Sequence, residues 1–327
     1  MSVDAKPPLH KVLIIKPPPA FTIHESEFSQ HFHFIKASDS PLPLPNFLAA
    51  ANSAGITALL ASGHVPLNAR DVFDYIPNLR CIVTTTAGLN QIDLPECRRR
   101  GIAVASAGDS YSVDCADHAV ALLIDVLRKV TAGDGFLRRG GWTDKREYCL
   151  GNRLKGKKIG VVGLGSIGCR IAKRLEALGC KILYNSRKEK PSVSYPYYSD
   201  IHELAANSDA LVLSCALTDE TRHMINKEVL TALGKEGVII NIARGPIIDE
   251  NELVRFLVEG KIAGAGLDVF EKEPNVPKEL LAMDNVVLSP HAAYLTHESF
   301  RDVFEFAKGN LQAFFSNKPL LSPVMDG

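Results

Sequence analysis

Residues 158–179, KIGVVGLGSIGCRIAKRLEALG, constrain this chain more than any other stretch. A short apolar run of strand character meets Gly163, Gly165 and Gly168 in GxGxxG spacing, and the residues beyond repeat with helical period. Each glycine answers a separate steric demand. Gly163 permits a tight turn, Gly165 lets the backbone approach an anion, and Gly168 lets helix and strand pack closely. A helix opening at Ser166 presents unpaired N–H groups suited to a pyrophosphate. The spacing alone could be an ordinary Gly-rich turn, but between a strand and a helix it predicts a dinucleotide-binding βαβ unit.

The second strand of that unit, in CKILYNSRKEK (180–190), is where the cofactor's ribose is read. A site for NAD carries Asp or Glu near the strand end. This chain has Asn185, Ser186, Arg187 and Lys188. A carboxylate would repel a 2′-phosphate, whereas a hydroxyl and two cations hydrogen-bond to it and neutralise it. NADP(H) is therefore the expected cofactor, with a solvated basic turn as the plainer alternative. Strand-like runs continue at 210–217, 237–243, 263–270 and 285–291, separated by INKEVLTALG and by DENELVRFLVEG, which Asp249 is expected to cap.

The N-terminal third repeats the alternation. Runs at 11–16, 56–62, 81–88 and 102–108 are separated by helix-like stretches, predicting a second, smaller doubly wound domain. The fold class is therefore α/β, with two parallel sheets. Residues 114–139 carry apolar periodicity read as one long connecting helix, with Ser112 and Asp114 as possible caps, and GGWTDKREYCLGNRLKGKK after it reads as a surface loop.

Composition narrows the function classes. Of 327 residues, 37 are Lys or Arg and 37 Asp or Glu, so the electrostatic footprint of a nucleic-acid binder is missing. No apolar run reaches the length of a membrane span, and Lys16 with three prolines interrupts the N-terminal apolar run, so neither leader nor anchor is expected. The seven cysteines are scattered and never spaced as CxxC, which predicts reduced thiols in a cytosol-like compartment and no metal site.

In open parallel sheets, ligands bind beyond the carboxyl ends of the strands. Arg244, Asp268 and His291 lie at such ends, with Glu273 shortly after Asp268. Each has a bland reading: a surface ion pair, a loop support, a loop residue, a satisfied buried histidine. Together they supply what reduction of a 2-keto acid needs. Hydride delivery to a carbonyl carbon leaves negative charge on oxygen, which a histidine proton donor and a fixed cation relieve. His291 and Arg244 fit those roles, and a carboxylate at Glu273 would fix the imidazole tautomer. Asp268 is expected to orient the ribose or carboxamide of the cofactor.

GLGSIG, NIARGPIIDENEL, GAGLDVFEKEP and LSPH together closely resemble the D-isomer-specific 2-hydroxyacid dehydrogenases over nearly the whole chain, with NSRKEKP and YPYYSDIHELA nearest the plant glyoxylate/hydroxypyruvate and hydroxyphenylpyruvate reductases. The resemblance places the catalytic set on Arg244, Glu273 and His291 and an acidic cofactor contact on Asp268. It adds NADP contacts at Leu164, Gly165, Ser166 and Ile167, at Ser186 to Lys188 and at Ile242, and a carboxylate-binding turn at Ala87 and Gly88. It implies a Rossmann coenzyme domain, 112–292, inserted into a flavodoxin-like substrate domain formed by 1–111 and 293–327, with catalysis in the cleft. It also implies a homodimer built near Trp142. The substrate implied is a small 2-keto acid, hydroxypyruvate or glyoxylate, with 4-hydroxyphenylpyruvate as the alternative; a cofactor-sensing corepressor or scaffold is the competing class. Two departures stand out: Asp117 replaces a more common Glu, and Tyr294 could line the substrate site or an interface.

Overall fold

The computed structural model describes residues 9–63, 65–144 and 147–324. Part of the stretch read for a leader, residues 1–8, and part of the expected surface loop, 145–146, lie outside the described residues. The chain divides into two units, Met1–Tyr111 with Leu295–Gly327, and Ser112–Tyr294.

In the first unit, five parallel strands, β1 (Lys11–Ile14), β2 (His33–Lys36), β3 (Ala58–Ala61), β4 (Cys81–Thr84) and β5 (Ala103–Ala105), are ordered β2-β1-β3-β4-β5. The central strands are apolar because both faces are covered. Leu13, Leu59 and Ile82 face a cluster with Phe47 and Leu48 of the helix Leu44–Ser53, while Val12, Leu60 and Val83 face Phe304 and Leu311 of the helix His297–Phe315. That last helix starts at a capping box between Thr296 and Ser299. Strand β2 was not foreseen in the sequence. It lies at the sheet edge, where partial exposure leaves no clear apolar run.

The second unit holds six parallel strands: β6 (Lys158–Val162), β7 (Lys181–Asn185), β8 (Ala210–Leu213), β9 (Val238–Asn241), β10 (Gly264–Leu267) and β11 (Val286–Leu288). Their order, β7-β6-β8-β9-β10-β11, reverses direction between β6 and β8. Such a switch point opens a crevice where ligands bind. Ile159 and Val161 pack on one face with Leu122 and Leu123, and Leu211, Leu213 and Ile239 on the other with Leu253 and Phe256.

The single long helix expected over 114–139 is two. Ser112–Arg128 ends before Lys129, whose φ of 57° is left-handed, and Val130–Arg138 follows. Asp125 explains the break: its carboxylate accepts the backbone N–H of Thr131 at 2.8 Å and its hydroxyl at 2.5 Å, capping the second helix. Ser112 and Asp114 lie in the first turn. Asp249 caps Glu250–Val258 by accepting the N–H of Glu252. Among the described residues, no helix is long and apolar enough to cross a membrane.

Candidate active site

The glycine turn leaves β6 at Gly163 with φ 91°, where a Cβ would lie 2.6 Å from the Cys215 backbone. A Cβ on Gly168 would approach the Gly163 carbonyl oxygen to 2.1 Å, so turn and helix Ser166–Ala177 interlock only without side chains. Gly165 is different. It forms the N-cap with no side-chain cap, and a Cβ there would meet nothing within 4 Å. Backbone N–H groups thus sit beside open space at a helix N-terminus, the geometry a pyrophosphate requires. Leu164 and Ile242 are buried and Ile167 half-buried in one apolar cluster that ties the ends of β6 and β9 together. Any ligand contact from Leu164 and Ile242 falls to their backbone.

At the end of β7, the Asn185 amide donates to the carbonyls of Tyr198 and Ser199, and the Ser186 hydroxyl donates to the Lys188 carbonyl at 2.6 Å. The resulting short turn leaves Arg187 and Lys188 exposed. Two cations on a braced turn, with no carboxylate at the strand end, suit a phosphate on the ribose.

Strands β9, β10 and β11 are neighbours, so the residues after them share one edge. Asn241 is buried and brackets the turn after β9: its oxygen accepts the N–H of Ala243 and its nitrogen donates to the Arg244 carbonyl. A Cβ on the next residue, Gly245, would lie 1.9 Å from the Phe270 carbonyl carbon, so only glycine lets this turn rest on the backbone after β10. Burial pulls the Arg244 guanidinium below its usual range, against the opposing charge of Glu273.

Glu273 accepts the Phe270 N–H through one oxygen at 3.1 Å and meets His291 Nδ1 through the other at 2.8 Å. Burial pushes this carboxyl up, but the His291 contact, the Phe270 amide and the Arg244 charge outweigh it and hold the carboxyl below the usual range. His291 keeps Nε2 without a partner among the described residues, and its ring meets Tyr294 edge-on at 5.9 Å. Burial raises the Tyr294 hydroxyl above its usual pKa, helped by Asp268 and Glu273.

Asp268 lies at the end of β10. Its surface is fully covered, and its carboxylate is taken up within the protein by the Ser289 hydroxyl and by the N–H groups of Ala292 at 2.7 Å and Ala293 at 3.1 Å. Burial would raise its pKa, but hydrogen bonds from His118, Ser289, Ala292 and Ala293 keep it below normal. These bonds tie Asp268 to the turn that carries His291. Sequence reasoning missed three other participants: Asn241, Ser289 and His118. His118 sits on the helix Ser112–Arg128 beside Ala119, so apolar periodicity concealed it. Asp117 forms an ion pair with Arg174 at 2.5 Å.

In the first unit, Ala87 and Gly88 follow β4 on a turn braced by the Thr86 hydroxyl, which donates to the Gly88 carbonyl at 2.7 Å, and by Gln91, which donates to Thr86 at 2.9 Å. Their own N–H groups have no acceptor among the described residues. Among those residues, no group of three or more His, Cys, Asp and Glu could hold a metal ion.

Residues 120–293, more than half of the chain, match the model of the D-isomer specific 2-hydroxyacid dehydrogenase NAD-binding domain. The chain is 48% identical over 325 residues to a glyoxylate/hydroxypyruvate reductase of Arabidopsis thaliana, covering 99% of each. It is 42% identical over 307 residues to a hydroxyphenylpyruvate reductase of Plectranthus scutellarioides, covering 94% of this chain and 97% of that one. A solved NADPH-dependent glyoxylate/hydroxypyruvate reductase of Sinorhizobium meliloti, in complex with NADP and malonate, superposes with a TM-score of 0.86 at 32% identity over 96% of each chain. Fold, site geometry and these likenesses agree: the chain belongs to the D-isomer specific 2-hydroxyacid dehydrogenases.

Proposed function

We propose that this protein reduces a small 2-keto acid, hydroxypyruvate to glycerate or glyoxylate to glycolate, with NADPH. The observation that carries the reading is the His291–Glu273 pair, at 2.8 Å, on the same strand edge as Arg244. When bound, the nicotinamide supplies a hydride to the keto carbon. Glu273 holds one proton on His291 Nδ1; in the imidazolium the second proton, on Nε2, passes to the oxygen as negative charge develops there and leaves a neutral imidazole. Arg244 supplies a fixed positive charge to the same oxygen and to the substrate carboxylate. The N–H groups of Ala87 and Gly88 are assigned to substrate binding.

The residues present fit the cofactor. Open backbone at Gly165 and the N–H groups at Ser166 and Ile167 would hold the pyrophosphate, and Ser186, Arg187 and Lys188 the 2′-phosphate. Ser112–Tyr294 is read as the coenzyme domain and the other unit as the substrate domain. A homodimer is proposed through the exposed apolar side chains Val130, Leu137 and Trp142, and a cytosolic location is supported by seven unpaired cysteines.

Steady-state rates with hydroxypyruvate, glyoxylate and 4-hydroxyphenylpyruvate, each with NADPH and NADH, test the reading. NADPH oxidation with a small keto acid is expected. Tight NADPH binding without turnover of any of the three would favour a cofactor-sensing scaffold instead.

A further inference from the structure

A second imidazole is held to a carboxylate within the same unit. His118 Nε2 lies 2.9 Å from the Ser289 hydroxyl oxygen and 3.5 Å from an Asp268 carboxylate oxygen. The Ser289 hydroxyl donates to that same oxygen. Since Ser289 spends its one proton on Asp268, the His118 atom facing it must be a donor, which makes His118 an Nε2–H imidazole. Asp268 then accepts the N–H groups of Ala292 and Ala293, and its own carbonyl accepts the N–H of His291 at 2.7 Å.

Between these bonds His291 stands at φ 53°. A left-handed conformation is strained for a residue with a Cβ and persists only where its surroundings over-determine it. The His291 turn is therefore gripped twice: through the side chain by Glu273, and through the backbone by Asp268, with Ser289 and His118 behind it.

We propose that His118 is a positioning residue for the reaction, its Nε2–H acting through Ser289 and Asp268 to hold the turn 289–293 so that His291 keeps its bond to Glu273. The proposal rests on the reductase reading above. It assigns His118 no contact with substrate.

The test compares His118→Leu with His118→Gln, whose amide can donate from nearly the same place. In the Leu variant, kcat for keto-acid reduction is expected to fall about tenfold, a fraction of what proton donation contributes. KM for NADPH should stay unchanged. His118→Gln should restore kcat, because its amide donates to Ser289 again. A lower Tm with kcat unmoved would mean a purely structural role and overturn the proposal.

A crystal structure of His118→Leu gives a readout independent of turnover. A lengthened His291–Glu273 bond with His291 relaxed from positive φ supports the proposal, and an unmoved turn refutes it, even if no keto acid proves to be a substrate. Should the Leu variant not fold, Ser289→Ala breaks the same relay and carries the same comparison.

Discussion

The Nδ1 atom of His291 lies 2.8 Å from a carboxylate oxygen of Glu273, and the other oxygen of Glu273 is occupied by the Phe270 N–H. The carboxylate is thus held from its own loop before it meets the imidazole, so it arrives pre-oriented. Holding a histidine in this way fixes both its tautomer and its ring plane.

Replacing Glu273 by Gln tests that relation through pH. The Glu273 carboxyl is held below its usual range, so its contribution to activity is present above that titration and lost as pH falls through it. Gln has no such group, so kcat should fall about tenfold or more and this low-pH loss should be absent from its profile. His291→Ala should mainly lower kcat, by about 10²- to 10⁴-fold. A Gln variant whose pH profile superimposes on wild type would leave Glu273 as a loop support only.

Arg244 serves both the ground state and the developing alkoxide. Arg244→Ala should therefore raise KM for the keto acid and lower kcat together, with kcat/KM falling about 10²- to 10³-fold. Lys at this position should recover part of the loss, since it restores the charge but not the planar fork. A change in KM alone would remove Arg244 from the chemical step.

Cofactor choice is tested at the turn after β7. Ser186→Asp combined with Arg187→Ala places a negative charge where a 2′-phosphate is expected and removes a charge-assisted bond worth about 1.5–3 kcal/mol. KM for NADPH should rise about tenfold or more relative to that for NADH. Equal changes for the two cofactors would defeat the assignment.

Gly168→Ala probes the interlocked turn. Its Cβ would lie 2.1 Å from the Gly163 carbonyl oxygen, closer than atoms can approach, so helix or turn must move. Thermal unfolding should show a loss of about 1–3 kcal/mol. NADPH binding, followed by fluorescence titration, should weaken in parallel. Gly165→Ala meets no such obstacle within the protein, so its effect should fall on binding and leave Tm nearly intact.

Much of this was legible in the residues because it is local. The reasons for Gly163 and Gly168 are backbone sterics within one turn, and Asp249 as a cap depends only on the residues just after it. Buried parallel strands show as apolar runs, which is why β6 and β8 to β11 were found, while the edge strand β2, half-exposed, was not. The break at Lys129 escaped notice because apolar periodicity continues across it; what interrupts the helix is one carboxylate, Asp125, bonding forward to Thr131.

The sequence by itself determined the class of fold, the glycine turn and the residue types available for chemistry, since each follows from periodicity or from sterics over a few residues. Only the tertiary structure decided which of those residues meet. The adjacency of β9, β10 and β11 brings Arg244, Glu273 and His291 to one edge, and the packing of the helix Ser112–Arg128 brings His118 to Ser289. The bonds of Asp268 escaped the sequence for the same reason: they come from residues more than twenty positions away, brought close by the pairing of β10 with β11.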